Sequence, residues 1–288
     1  MNILIIGGNG QLGQTLSRTA PDHIDFKSLD LPEFDITNSE NVATVVGKEK
    51  PDVIINASAY TAVDKAEEEP ELAFAVNATG PGNLAVAAKN TGSRLIHIST
   101  DYVFDGTACT PYQPDAPCTP LGVYGRTKRQ GEINVQEALD DYVIIRTSWL
   151  YSQYGNNFVL TMLRLMQERE ELKVVCDQVG SPTWASTLAM AIWAVIEKPN
   201  LNGIYHWSDA GVASWYDFTV AIQEEAYHLG LLNKPIPISP IRSDAFPTPA
   251  KRPSYSVLDC MQSWHEFEAN PMHWRTALKE MLSSISRR

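Results

Sequence analysis

The sequence predicts a doubly wound α/β fold: a parallel sheet flanked by helices, followed by a smaller mixed α/β region toward the C-terminus. Three observations carry this. Short Val/Ile/Leu-rich runs alternate with helical patterns through the first half of the 288-residue chain. Three glycines follow the first of those runs directly. All seven tryptophans lie at or beyond Trp149, a shift in composition that predicts a boundary there. Residues 1–148 are then one domain and residues 149–288 mainly a second.

The elements follow in order. Asn2–Ile6 is dominated by apolar residues, as expected of a strand buried on both faces of a sheet. Gly7, Gly10 and Gly13 come next, and a helix begins near Gln11. Ile24–Leu29 predicts a second strand, and Ser39–Lys48 a helix with capping residues at Asn38 and Ser39. Asp52–Asn56 is a third strand. Pro70–Lys89 is an Ala-rich helix that ends near Gly92. Leu95–Ser99 and Tyr142–Arg146 are the fourth and fifth strands, with a helix at Gly122–Leu139 between them. Right-handed crossovers turn this order into a Rossmann-type sheet. Past residue 149 the pattern is mostly helical, with short strands such as Gly203–Trp207, and some of these segments can return to the first sheet. The tryptophans chiefly supply buried area. The competing reading is that one or two line a cleft.

Composition removes several classes. Net charge is −11, whereas a bulk nucleic-acid binder carries a basic field. No apolar run approaches the length of a membrane span, and the N-terminus lacks the basic and apolar regions of a signal peptide. Cys109, Cys118, Cys176 and Cys260 form no C-x-x-C pair, so there is no zinc signature. Reduced thiols in a cytoplasmic chain are the expectation.

Gly7, Gly10 and Gly13 read G-x-x-G-x-x-G between a strand and a helix. A tight strand-to-helix turn needs a permissive backbone, and a pyrophosphate must approach the main chain closely. The helix then aims its N–H groups and positive dipole end at the phosphates. Dinucleotide binding is therefore expected. Asp30 stands where an acid would meet the adenosine ribose hydroxyls. Asp35 is a second candidate, or a turn residue. Lys27 is the nearest base to meet a 2′-phosphate.

Tyr124 and Lys128 form Y-x-x-x-K on a predicted helix, one turn apart and so on one face. Reducing a ketone requires a hydride at carbon and a proton at oxygen. A lysine cation beside a phenol is expected to pull its pKa from about 10 toward neutrality. Ser99 and Thr100, just past the fourth strand, offer a hydroxyl to the same oxygen. His97, inside that strand, reads as a core histidine rather than a base.

The surrounding segments are more specific than these motifs. They include Asn56–Glu67, Ser99–Gly106, Val123–Lys128, Arg146–Tyr151, Gly155–Phe158, Asp177–Thr183 and Arg252–Asp259. In this order, over essentially the whole chain, they resemble the dTDP-4-dehydrorhamnose reductase family, in the extended branch of the short-chain dehydrogenase/reductases. The resemblance implies reduction of the C4 ketone of a dTDP-4-keto-6-deoxy sugar by NADPH or NADH, giving dTDP-L-rhamnose for surface polysaccharides. It implies Tyr124 as proton donor, Lys128 as its partner and Thr100 as the group that polarises the carbonyl. It places Gly10, Gln11, Leu12, Asp30, Asp35 and Ile36 along the adenosine and pyrophosphate half of the cofactor, and Ala59, Tyr60 and Thr61 beside its middle. Thr100, Asp101 and Trp149 would touch the sugar nucleotide.

The substrate diphosphate calls for donors. Arg164, Lys251 and Arg252 are the candidate cations and Asn157 a candidate amide, each with a purely structural alternative. Certain relatives dimerise through a magnesium ion held by glutamates, one of them just after the glycine turn. Here Gln14 and Thr15 stand there, so no metal bridge is expected, and monomer or homodimer stays open. Glu67–Glu69 and Glu168–Glu171 read as solvated helix faces. The alternatives are a talose-forming reductase, a redox-neutral epimerase or dehydratase, and a regulatory subunit of methionine adenosyltransferase.

Overall fold

The computed structural model describes residues 1–286. Six strands form one parallel sheet: β1 (Asn2–Ile6), β2 (Asp25–Leu29), β3 (Val53–Asn56), β4 (Arg94–Thr100), β5 (Tyr142–Thr147) and β6 (Gly203–His206). Their spatial order is β6-β5-β4-β3-β1-β2. The chain runs outward from β1 to β2, then crosses back to place β3 on the other side of β1. That reversal opens a crevice at the C-terminal ends of β1 and β3, where open α/β sheets bind ligands.

Alternation within each strand feeds two helical layers. Ile3, Ile5, Ile55 and Ile96 face one side, against the helices Gln11–Thr19 and Ala185–Ile196. Leu4, Ile6, Ile54 and Ile144 face the other, against Ser39–Glu49, Gly80–Thr91 and Val123–Ala138. Each fully buried side chain of this size contributes about 1.5–3 kcal/mol, so both faces are held. Only β2 is exposed along its length, as an edge strand with an Asp-Phe-Lys-Ser-Leu sequence must be. Asn38 caps its helix by accepting from the Glu40 and Asn41 amides.

Two features depart from the local pattern. The expected helix over residues 70–89 is interrupted by a π-helical turn at Ala75–Thr79 before it resumes and ends at Gly92. Gly203–His206 pairs in parallel with β5, so this stretch of the C-terminal half belongs to the main sheet. Ala185–Ile196 packs on the same sheet. A separate core in the C-terminal half is built from Phe158–Glu168, Trp215–His228 and Trp274–Ser286, while Phe267 packs on the main sheet and Leu258 and Cys260 pack with Val103, Phe104 and Tyr112. Among the described residues no helix is long and apolar enough to cross a membrane.

Candidate active site

The crevice is a cavity of about 820 Å³. One end is the glycine turn. Gly7 has φ +85°, and a Cβ there would meet the Ser58 amide nitrogen at 2.6 Å, so only glycine fits. Gly10, Gln11 and Leu12 line the cavity as the first turn of their helix, which has no side-chain cap and no acid in that turn. Gly13 lies beneath, where a Cβ would sit 2.2 Å from the Gly7 carbonyl oxygen, and lets helix and strand touch. Uncapped N–H groups at a helix N-terminus that opens on a cavity fit a pyrophosphate.

Asp30, Asp35 and Ile36 line the same end. The Asp30 carboxylate accepts from the Asn9 and Leu31 amides, both at 2.8 Å, and keeps lone pairs for ribose hydroxyls. Asp35 accepts from the Thr37 amide and hydroxyl, which is the turn role. Lys27 is paired with Glu49 at 2.7 Å. Among the described residues, Lys128 is the single cation lining the cavity.

Ala59, Tyr60 and Thr61 form the middle of the wall. The π-helical turn explains how they are held. Its Asn77 accepts from the Tyr60 amide at 2.8 Å and donates to the Tyr60 carbonyl and to the Thr127 hydroxyl. One side chain thus ties the loop to the Val123–Ala138 helix. That helix passes so close that a Cβ on Gly131 would lie 2.1 Å from the Asn77 carbonyl oxygen. Gly131→Ala is expected to cost about 1–3 kcal/mol, read as a lowered midpoint in chemical unfolding. An unchanged midpoint would show that the two segments are not locked together.

The other end of the cavity carries the reactive groups. Tyr124 and Lys128 project from one face of the helix, and Thr100 stands at the end of β4. Glu67 accepts from the Val123 amide at 2.7 Å and fixes the helix N-terminus beside Tyr124. The Tyr60 hydroxyl donates to Glu69 at 2.6 Å. Glu67 and Glu69 are therefore site supports, not the solvated face expected of that run.

Burial pushes the Tyr124 phenol up to about 12, with the Thr100 hydroxyl pulling the other way. This reverses the expected depression by Lys128. The lysine Nζ donates to the Ile98 carbonyl at 2.6 Å, and burial brings its own pKa down to about 8. A phenol held in its neutral form is a proton donor in waiting.

Behind these groups lies a buried ion pair. Glu132, one further turn along the face of Tyr124 and Lys128, accepts from Arg146 Nε at 2.9 Å and Nη2 at 2.8 Å. It also accepts from the Ser99 hydroxyl at 2.5 Å and from Arg129 at 2.7 Å. Burial opposes the Glu132 charge, but the Arg146 guanidinium wins and holds the carboxyl below its usual value. His97 Nδ1 lies 3.0 Å from the Asn56 amide, and burial keeps its ring neutral.

The opposite wall is aromatic. Trp149 stacks on Trp215 with ring centroids 3.5 Å apart and planes 4° from parallel. Trp149 has φ +47°, a conformation that costs a bulky residue about 1–3 kcal/mol and that marks functional walls more than cores. Trp215, Tyr102, Phe158 and Ser148 also line the cavity and were not singled out in the sequence. Asn157 reaches it too, but its amide is used locally. It caps Phe158–Glu168 through the Leu160 amide and donates to the Ser152 carbonyl.

The candidate phosphate cations lie elsewhere. Arg252 forms a two-pronged ion pair with Asp64, at 2.6 and 3.0 Å, and does not line the cavity. With Lys251 it borders a separate depression of about 430 Å³. Arg164 is exposed and paired with Glu168. Among the described residues no group of three or more His, Cys, Asp or Glu side chains is placed to hold a metal ion.

A cavity with a glycine cradle at one end and a Tyr/Lys/Thr set at the other fits a nicotinamide-dependent reductase, and the known proteins agree. The family model of the RmlD substrate binding domain matches residues 1–287. The chain is 42% identical to the dTDP-4-dehydrorhamnose reductase of Salmonella typhimurium, covering 99% of this chain and 98% of that protein. The chain belongs to the dTDP-4-dehydrorhamnose reductase family. Its structure is similar to the dTDP-4-dehydrorhamnose reductase of Clostridium acetobutylicum, with a TM-score of 0.93, 41% identity and 99% of both chains covered. The Bacillus anthracis reductase, solved in complex with NADP, gives a TM-score of 0.93 at 39% identity, covering 98% of this chain and 99% of that one. The extended reductase fold expected from the sequence is thus the fold of this family.

Proposed function

We propose that the chain reduces the C4 ketone of dTDP-4-dehydro-6-deoxy-L-mannose (dTDP-4-dehydro-L-rhamnose) to dTDP-L-rhamnose with NADPH or NADH. The observation that carries this is the placement of Thr100, Tyr124 and Lys128 on one wall of a cavity that extends to the glycine turn. The reduced nicotinamide, when bound, supplies the hydride. Gly10, Gln11 and Leu12 hold the pyrophosphate, Asp30 the adenosine ribose, and Ala59, Tyr60 and Thr61 the middle of the cofactor.

Tyr124 gives its proton to the C4 oxygen as negative charge develops there, and the Thr100 hydroxyl orients that oxygen. Lys128 places a buried positive charge beside the reacting centre. The Trp149–Trp215 wall covers the sugar ring and excludes water. In this reading residues 1–148 with β6 carry the cofactor, and most of residues 149–288 carry the sugar nucleotide. The product enters surface-polysaccharide synthesis in the cytoplasm.

The test is loss of nicotinamide absorbance on mixing the protein, dTDP-4-keto-L-rhamnose and either cofactor, with NMR of the product. A dTDP-L-rhamnose spectrum is expected. Asp30, with no cation beside it to receive a 2′-phosphate, predicts a lower KM for NADH than for NADPH. A talose spectrum would leave the reduction and change the product. No consumption by a folded chain that binds cofactor would overturn the proposal.

A further inference from the structure

The segment Asp177–Thr183 takes no part in the hydride or proton chemistry, yet it grips the Trp149 wall from several sides. The Ser148 hydroxyl donates to the Ser181 carbonyl at 2.6 Å, and the Thr183 amide donates to the Trp149 carbonyl at 3.2 Å. The backbone is thus tied on both sides of the residue with φ +47°. A strained conformation persists where its surroundings over-determine it.

The same segment fixes the ring. A Cβ on Gly180 would lie 2.6 Å from Trp149 Cε2, and 2.7 and 2.9 Å from the two atoms bonded to it, Nε1 and Cζ2. An approach in the ring plane would bring Nε1 and Cζ2 closer than Cε2, so the Gly180 backbone lies over a face of the indole. Trp215 fills the other face. With both faces covered, Trp149 presents an edge to the cavity. Gly180 is not free to retreat. Its neighbour Val179 donates to the Ser254 carbonyl and accepts from the Ser256 amide, both at 2.8 Å, and Gly180 itself pairs with Ala213. Trp215 is held as well. Its Nε1 donates to Gln178 Oε1 at 3.2 Å, and Gln178 Nε2 donates to Ser243 Oγ at 3.0 Å.

We propose that Gly180 and Gln178 are the positioning residues of the sugar site. Gly180 admits the Trp149 indole flat against the backbone, and Gln178 locks Trp215 behind it. Together they set how tightly the sugar is held. This rests on the reductase reading above. Neither residue lines the cavity, so each acts through an indole.

A methyl group at Gly180 has to displace Trp149, because Trp215 blocks any shift along the stack. Gly180→Ala is therefore expected to raise KM for the keto sugar by roughly tenfold or more. Thr100, Tyr124 and Lys128 are untouched, so kcat should stay within about threefold and cofactor affinity within about twofold, the pattern of lost uniform binding. Trp149→Phe removes the atoms that the methyl would meet. In that background Gly180→Ala should change KM by less than about twofold. An equal rise in both backgrounds would mean a general distortion. No rise with Trp149 in place would mean that the pose of the indole does not govern the sugar. Either result overturns the proposal. Gln178→Met keeps the length of a half-buried side chain and removes only its polar groups. It is expected to raise KM about fivefold at unchanged kcat. A wild-type KM removes Gln178 from the role.

Chemical unfolding of the four proteins in the Gly180/Trp149 cycle reads the contact without substrate. The midpoint should fall for Gly180→Ala only where Trp149 is present, and an equal fall in both backgrounds overturns the contact. A wild-type chain that does not reduce the keto sugar overturns the reductase reading and the sugar role with it. The midpoints then still report whether Gly180 holds Trp149.

Discussion

Replacing Tyr124 with phenylalanine is expected to lower kcat by about 10³-fold, because it removes the proton donor and little else. The ring remains edge-on to Tyr102, at the present centroid distance of 5.7 Å, and the helix keeps its Glu67 cap. Cofactor affinity should therefore stay within about twofold, since uniform binding is untouched while a transition-state interaction is lost. The phenol is pushed up to about 12 by burial, so it is protonated throughout the neutral range. No ionisation of Tyr124 should then appear in the wild-type profile between about pH 6 and 9. Single-turnover absorbance and an equilibrium cofactor titration read both quantities. A variant that keeps more than a tenth of the wild-type kcat would remove Tyr124 from the donor role.

Much of this arrangement is written locally in the chain. The apolar runs at β1, β3, β4 and β5 are within a residue or so of their observed ends because burial on both faces gives each strand an uninterrupted apolar stretch of two or more Val, Ile or Leu residues. The glycine turn is legible because backbone room is a property of residue type. Tyr124 and Lys128 are legible because four residues on a helix make one turn.

What the sequence does not show is which distant group reaches each side chain. Arg252 reads as a phosphate cation until Asp64, 188 residues earlier, is seen to hold it. Trp215 reads as core filling until it is seen to back Trp149 along the cavity. The Tyr124 pKa was expected to follow its charged neighbour, yet burial dominates, and depth in a fold is not a local quantity. Glu132 was legible in principle: Tyr124, Lys128 and Glu132 recur every four residues on one helix face. A buried acid at the end of that row asks for a cation, and β5 supplies it in Arg146.

Glu132→Ala is the substitution with the largest expected effect on stability. It strands the Arg146 guanidinium, which is 1% exposed, without its carboxylate, and breaking one partner of such a pair costs about 3–5 kcal/mol. Removing both charges should cost far less, so Glu132→Leu combined with Arg146→Met is expected to recover most of that loss. Chemical unfolding of the three proteins reads the difference. A loss under about 1 kcal/mol for Glu132→Ala would mean the guanidinium finds water or another acceptor. The same substitution reaches the catalytic end by two routes. It releases the Ser99 hydroxyl, one residue from Thr100. It also removes the one charge that opposes the burial of Lys128, whose pKa is already down to about 8. That pKa then drops further, and the ammonium is lost at a lower pH. The double variant should therefore fold well yet lose activity earlier than the wild type as pH rises. Stability restored without the alkaline limb restored is the result that would separate the structural role of Glu132 from its electrostatic one.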